Sequence, residues 1–192
     1  MYKEIQKKLS RNWFKILQDV ICNEIEILEK RSTKFTSKNW NKNSTIDEGG
    51  GEYRILKNGR IFEKVGVNFS EVYGKFTKEM RKNIPGAKNI PNFWASGISI
   101  VMHMKNPHVP TMHFNTRYIY TTFGWFGGGI DITPCINDPK EKKWFHNELK
   151  KTCSRHSKNY YPWHKPLQYC HCHQNPQCHR VLQVNDNFEQ RG

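Results

Sequence analysis

No apolar run in this 192-residue chain approaches the roughly 18 residues that a membrane-spanning helix needs. The N-terminal MYKEIQKKLS also lacks the apolar core of a secretion signal. A cytoplasmic protein without a membrane span is therefore expected. Acidic residues are scarce: 17 Asp and Glu stand against 31 Lys and Arg, for a formal net charge of +14. A surface of that sign suits anionic partners, such as nucleic acid, a membrane surface or a polycarboxylate substrate. Hydrophobic residues make up 36% of the chain and the mean hydropathy is -0.84, low for a compact enzyme. The length still allows one domain with a sizeable core. Cysteine is thinly spread until the end, where three of the six fall between Cys170 and Cys178. In a reducing compartment such cysteines are thiols or metal ligands rather than disulfides. No internal repeat is present.

What is there falls into clear periods. Met1 to Lys30 reads as one amphipathic helix, with Ile5, Leu9, Trp13, Leu17, Val20, Ile21, Ile25 and Leu28 at helical spacing. That stripe predicts a face packed on the core. Arg31 to Ile46 is polar and reads as a loop. The triplet Gly49-Gly50-Gly51 precedes two β-type runs, Tyr53–Leu56 and Ile61–Val65, around Lys57-Asn58-Gly59-Arg60. Asn-Gly favours the positive-φ turn that closes a hairpin. Further strands are predicted at Ile98–Met104, Thr111–Thr122 and Gly124–Trp125. A helix follows over Asp138–His156, with Trp144, Phe145, Leu149 and Cys153 on one stripe. Antiparallel strands with helices at the edges make the class α+β, an antiparallel β-sheet flanked by helices.

After Tyr161-Pro162 the character changes. Residues 163–192 have no clear period and few aliphatics, and read as a disordered Cys/His-rich tail unrelated to what precedes it. Cys170-His171-Cys172-His173 with Cys178-His179 supplies enough soft ligands for zinc, but not in a recognised zinc spacing. Accidental composition is the other reading of that tail.

The densest chemistry lies between Phe93 and Pro134, where histidines, an arginine and an aspartate stand among apolar β-type runs and a second glycine triplet. Such groups need partners or a ligand. Ala95-Ser96-Gly97-Ile98-Ser99, His103 with Asn106-Pro107-His108, Pro110-Thr111, His113-Phe114-Asn115, Arg117-Tyr118, and Trp125-Phe126-Gly127-Gly128-Gly129 with Asp131-Ile132-Thr133-Pro134 together resemble the oxygen-dependent coproporphyrinogen oxidases of haem biosynthesis. The first glycine triplet and its hairpin are similar to that family as well, so the resemblance runs from about Asp47 to Pro162. It implies a broad antiparallel sheet packed between helices. This chain would hold the first part of it, as a partial domain over residues 1–162. The family's later Gly-rich strand, Gly-Gly-Arg element and dimerisation region have no counterpart here. Members are homodimers; here, an incomplete fold with impaired or absent activity is expected.

The reaction implied is the conversion of two propionates of coproporphyrinogen III to vinyls, giving protoporphyrinogen IX, with dioxygen consumed and carbon dioxide released. No cofactor beyond oxygen is required. Carboxylates need cationic or N–H partners, and the planar fork of Arg117 can give two parallel bonds to one propionate. By resemblance, Ser99 and the run Asn115-Thr116-Arg117 are substrate-binding, Thr116 through its backbone. His113 is implied as proton donor, and it shares a strand face with Asn115 and Arg117. Asp131 could accept from pyrrole N–H groups, or simply cap a turn. His103, His113 and His146 match histidines treated as divalent-metal ligands in bacterial members, although their spacing is no known short metal motif. The chain departs from the family at Met104, where a proline is usual, at the single tryptophan before Phe126, and in the short link from Arg117 to Trp125. A different class of function is also open: a non-catalytic basic nucleic-acid-binding module with a zinc-binding tail. Nucleic acid is the less expected partner, because the aromatics lie in apolar runs rather than among the lysines and arginines.

Overall fold

The computed structural model describes residues 2–43, 45–136 and 138–155, together with the backbone of two short strands near the C-terminus. A long helix, α1 (Tyr2–Leu28), leads into six strands: β1 (Thr36–Asn41), β2 (Gly49–Lys57), β3 (Phe62–Lys75), β4 (Asn92–Met104), β5 (Thr111–Tyr120) and β6 (Gly124–Thr133). Each strand pairs antiparallel with its sequence neighbour, so the sheet is a plain meander. A short helix α2 (Lys78–Arg81) sits between β3 and β4, and α3 (Pro139–Ser154) follows β6. The strands β7 (His179–Arg180) and β8 (Val184–Asn187) both pair with β6. The α+β class and the antiparallel sheet agree with the sequence. The candidate zinc ligands Cys170, His171, Cys172, His173 and Cys178 lie outside the described residues.

Helix α1 covers one face of the sheet. Phe14, Cys22 and Ile25 point inward and meet Leu56, Val65, Val67, Ile98, Ile100 and Tyr118. Gln18 is buried among them, and its side-chain amide donates to the carbonyls of Glu52 (3.0 Å) and Val67 (3.1 Å). A polar side chain is tolerated there because both of its donors are used. Burial pushes the Cys22 thiol up to about 11, so it behaves as a small apolar residue.

Two expectations fail. The stretch read as a loop from Arg31 to Ile46 contains β1. Its sequence Thr-Ser-Lys-Asn-Trp-Asn has no apolar alternation because it is an edge strand with both faces largely open. The helical stripe also turns out to be two faces. Ile25 is buried and Leu17 and Ile21 are partly buried, but Ile5, Leu9, Trp13, Val20 and Leu28 are exposed. The contact runs instead through Phe14, Gln18, Cys22 and Ile25, a step of three to four residues. Strands also extend further than predicted: β6 continues through its glycines to Thr133, and β3 and β4 are about twice the expected length.

The hairpin at Asn58-Gly59 is present, with Asn58 at φ 55°. It is clamped from outside its own sequence. Glu29, just past the end of α1, is fully buried. Its carboxylate accepts from the backbone N–H of Arg60, of Ile61 (2.9 Å) and of Phe62 (2.8 Å). A Cβ at Gly59 would stand 2.5 Å from Glu29 Oε1, so the approach needs glycine. Burial opposes ionisation of Glu29, but the N–H groups of Phe62, Ile61 and Arg60 outweigh it and hold the carboxyl below the usual range. Glu29→Ala should cost about 3 kcal/mol, because three N–H groups lose a charged acceptor. The sign with pH follows from the lowered value. The stabilisation is complete above the unfolded-state carboxyl range and is lost as pH falls through the folded one. Urea melts at neutral and acid pH test this: the deficit of the variant should be large at neutral pH and shrink on acidification.

Candidate active site

Side chains alternate along a strand, so α1 can cover only one face of the meander. The register brings the other set into transverse rows. Asn68, Ser99, Asn115 and Gly129 form one row across β3 to β6. Gly66, Val101, His113 and Asp131 form the next. On the other side of the first lie Ser70, Gly97, Arg117 and Gly127. Four residues singled out in the sequence thus meet from three different strands.

Their hydrogen bonds form a line. His113 Nδ1 lies 3.0 Å from Asp131 Oδ2, and His113 Nε2 lies 3.3 Å from Ser99 Oγ. An ionised carboxylate only accepts, so the network assigns the proton of neutral His113 to Nδ1. Nε2 is then an acceptor, and the Ser99 hydroxyl donates to it. The side chains of His113 and Asp131 keep 36% and 22% of their exposure, enough for a ligand to reach the ring without flooding the carboxylate. Beside this line, Arg117 Nη2 donates to Asn115 Oδ1 at 2.9 Å. Partial desolvation pulls the Arg117 guanidinium somewhat down, yet the residue is exposed at the surface and remains a cation.

The glycines shape the surface. A Cβ added to Gly66 would meet nothing within 4 Å, so the sheet is open above it. A Cβ at Gly97 would stand 2.6 Å from the Thr116 carbonyl and 2.8 Å from Arg117 Cβ, and would displace the arginine. With Gly127 and Gly129 opposite, backbone is laid bare around Arg117, where a flat ligand can lie close.

The model of the family described as Coproporphyrinogen III oxidase matches residues 10–173. The chain belongs to the coproporphyrinogen III oxidase family. The oxygen-dependent coproporphyrinogen-III oxidase of Rickettsia akari (strain Hartford) is 40% identical over 194 residues, covering 97% of this chain and 64% of the relative. That of Rickettsia felis (strain ATCC VR-1525 / URRWXCal2) is 43% identical over 164 residues, covering 81% of this chain and 57% of the relative. The chain therefore spans 57–64% of the length of these coproporphyrinogen oxidases. The family match takes in most of α1 as well as the whole meander.

Of the residues that the resemblance to coproporphyrinogen oxidases suggested, Ser99, His113, Asn115, Arg117 and Asp131 share one face. Thr116 pairs with Ile98 and Gly128, so its side chain points to the helix side and only its backbone remains with the site. The three candidate metal histidines are not gathered. His103 lies on the site's face of β4, with Nδ1 3.5 Å from Thr111 Oγ1, while His146 is on α3 with its ring against Phe145. Among the described residues, no group of three or more His, Cys, Asp or Glu side chains could hold a metal ion. These residues do not fit a metal, and no chemistry is routed through one. Sequence reasoning missed Asn68. It accepts from Trp40 Nε1 at 2.9 Å and lies beside Ser99 in the register. The signal was present in Val67-Asn68-Phe69, an outward polar position between two buried apolar ones.

If Asp131 fixes the His113 ring, Asp131→Ala should leave the fold intact by circular dichroism but change the ring's tautomer. Nitrogen-15 shifts of His113 near pH 8 should show Nδ1–H in the parent chain and a mixture in the variant. An unchanged tautomer would break the proposed line.

Proposed function

We infer that this chain binds coproporphyrinogen III on the free face of its sheet and supplies the proton-transfer groups for its oxygen-dependent oxidative decarboxylation to protoporphyrinogen IX. The carrying observation is the Asp131–His113–Ser99 line beside the Arg117–Asn115 pair, on a face paved with glycine. A wide, flexible macrocycle with carboxylate arms matches that arrangement. Arg117 offers a fork to one propionate, and Asn115 holds that fork from below. Gly66, Gly97, Gly127 and Gly129 let the ring approach the backbone without a side chain between. The names of the relatives point the same way and carry nothing of the nucleic-acid alternative.

The balance of the reaction sets the roles. A propionate that becomes a vinyl loses carbon dioxide, a proton from the carbon next to the ring, and two electrons. Two propionates deliver the four electrons that reduce one dioxygen to two waters, so oxygen is the oxidant and this balance calls for no further cofactor. A group beside the propionate must move a proton. His113 does so through Nε2, with Ser99 as its hydrogen-bond partner. Asp131 acts through His113 as a positioning residue: it keeps the acceptor nitrogen outward and stabilises the imidazolium when the ring takes a proton. Among the described residues no helix is long and apolar enough to cross a membrane, and the reading places the reaction in the cytoplasm.

Binding and proton transfer separate in two variants. Arg117→Ala should weaken binding of coproporphyrin, the stable oxidised ring, by about 2 kcal/mol, some thirtyfold. His113→Ala should change affinity little. Fluorescence titration near pH 8, where an ordinary histidine is neutral, makes the comparison. Equal losses in the two variants, or none for Arg117→Ala, would remove the substrate from this face.

A further inference from the structure

Helix α1 has a second apolar face that nothing in the described structure covers. Ile5, Leu9, Trp13, Ile16, Val20 and Ile27 are each between 45% and 64% exposed. At 100° per residue they fall within an arc of about 80°, opposite the embedded residues Phe14, Gln18, Cys22 and Ile25. The stripe runs nearly the length of a helix about 40 Å long. Scattered exposed apolar residues are ordinary, but a continuous stripe of this kind marks an interface.

The charges on the helix are sorted along its axis. Lys3, Lys7, Lys8, Arg11 and Lys15 lie in the first half, broken only by Glu4, while Asp19, Glu24 and Glu26 lie in the second with no cation in its last turn. This order runs against the helix dipole, which favours anions at the N-terminus and cations at the C-terminus. Helix stability therefore does not account for it. Arg11, Asp19 and Glu26 have partners on Glu71, Arg54 and Lys34. Lys8 and Glu24 have no ion pair among the described residues.

We propose that the outer face of α1 pairs with the same face of a second copy of this chain, antiparallel about a two-fold axis. That arrangement sets the basic half of each helix beside the acidic half of the other. A two-fold axis lying across the interface keeps each flank on its own side. Lys8 and Lys15 then run beside Asp19 and Glu26 of the other copy, and Glu24 beside its N-terminal lysines. A parallel pair would place like charges together. An anionic membrane surface would repel the acidic half. Next to the stripe is an apolar hollow of about 310 Å³, between the first turns of α1 and Tyr118 and Phe126, which a side chain of the second copy can enter.

Sedimentation equilibrium of the full chain tests the proposal. A dimer should form by about 100 µM protein. Ile16→Lys, at the centre of the stripe, should weaken it by about tenfold or more, with circular dichroism unchanged. Glu24→Lys, which buries nothing, should also weaken it, and raising salt from about 50 mM to about 500 mM should shrink that difference. A second variant pair keeps orientation open to disproof: Lys8→Glu combined with Glu26→Lys should restore association that either change alone reduces. A chain that stays monomeric, or a dimer indifferent to Ile16→Lys, overturns the proposal. So does a monomer that floats with phosphatidylglycerol vesicles through Trp13, because the stripe then serves a lipid surface.

Discussion

A single carboxylate ties the helix to the sheet. Glu29 is buried at the end of α1 and takes three backbone N–H groups from the start of β3. A buried charge is costly unless its acceptor sites are filled, and here the filling comes from a segment some thirty residues further on. The helix end cannot shift along the sheet without stranding that charge. Gln18 repeats the device two and a half turns earlier, bonding one carbonyl on β2 and one on β3. These polar anchors fix where α1 lies; the apolar contacts around Phe14 and Ile25 then supply most of the burial.

The position of α1 decides which face of the meander is left for a ligand. It also makes the register of β3 to β6 consequential, because a slip by one residue would turn every side chain to the wrong side. His113, Ser99 and Asp131 come from three strands, so their line exists only in one register. Large apolar residues on the covered face, among them Ile98, Ile100 and Tyr118, hold that register by burial. The same strands that place Ile98 and Ile100 inward place Ser99 outward between them. Core and site are two readings of one alternation.

That alternation explains what could be read without coordinates. The run His113-Phe114-Asn115-Thr116-Arg117 alternates polar and less polar positions, and its strand and its shared face followed directly. Asn58-Gly59 announced its turn by backbone chemistry. The start of α3 was visible because Asp138 before Pro139 is a strong cap, and its carboxylate does accept from the N–H of Lys140 at 2.8 Å. Strand β1 was hidden because edge strands with two open faces carry no apolar period. The glycines concealed the length of β6, since glycine argues against a strand unless a partner or a ligand needs the bare backbone. The helix misled for a different reason: with apolar residues on two opposite faces, periodicity cannot say which face the sheet receives, and the buried glutamine and glutamate that do say so look like surface residues in the sequence.

The meander joins only sequence neighbours, and this bears on how the chain is made. As synthesis proceeds from the N-terminus, each strand can zip onto the one before it without waiting for a distant partner, a route with low loop-closure cost. Helix α1 emerges first and has nothing to rest on until the turn after β2 has left the ribosome and reached Glu29. Ser99 then precedes His113, and Asp131 comes last of the three. The ring that moves the proton thus acquires its orientation only at the final strand of the meander, so a nascent chain stalled before β6 would carry a formed core and an unaligned site.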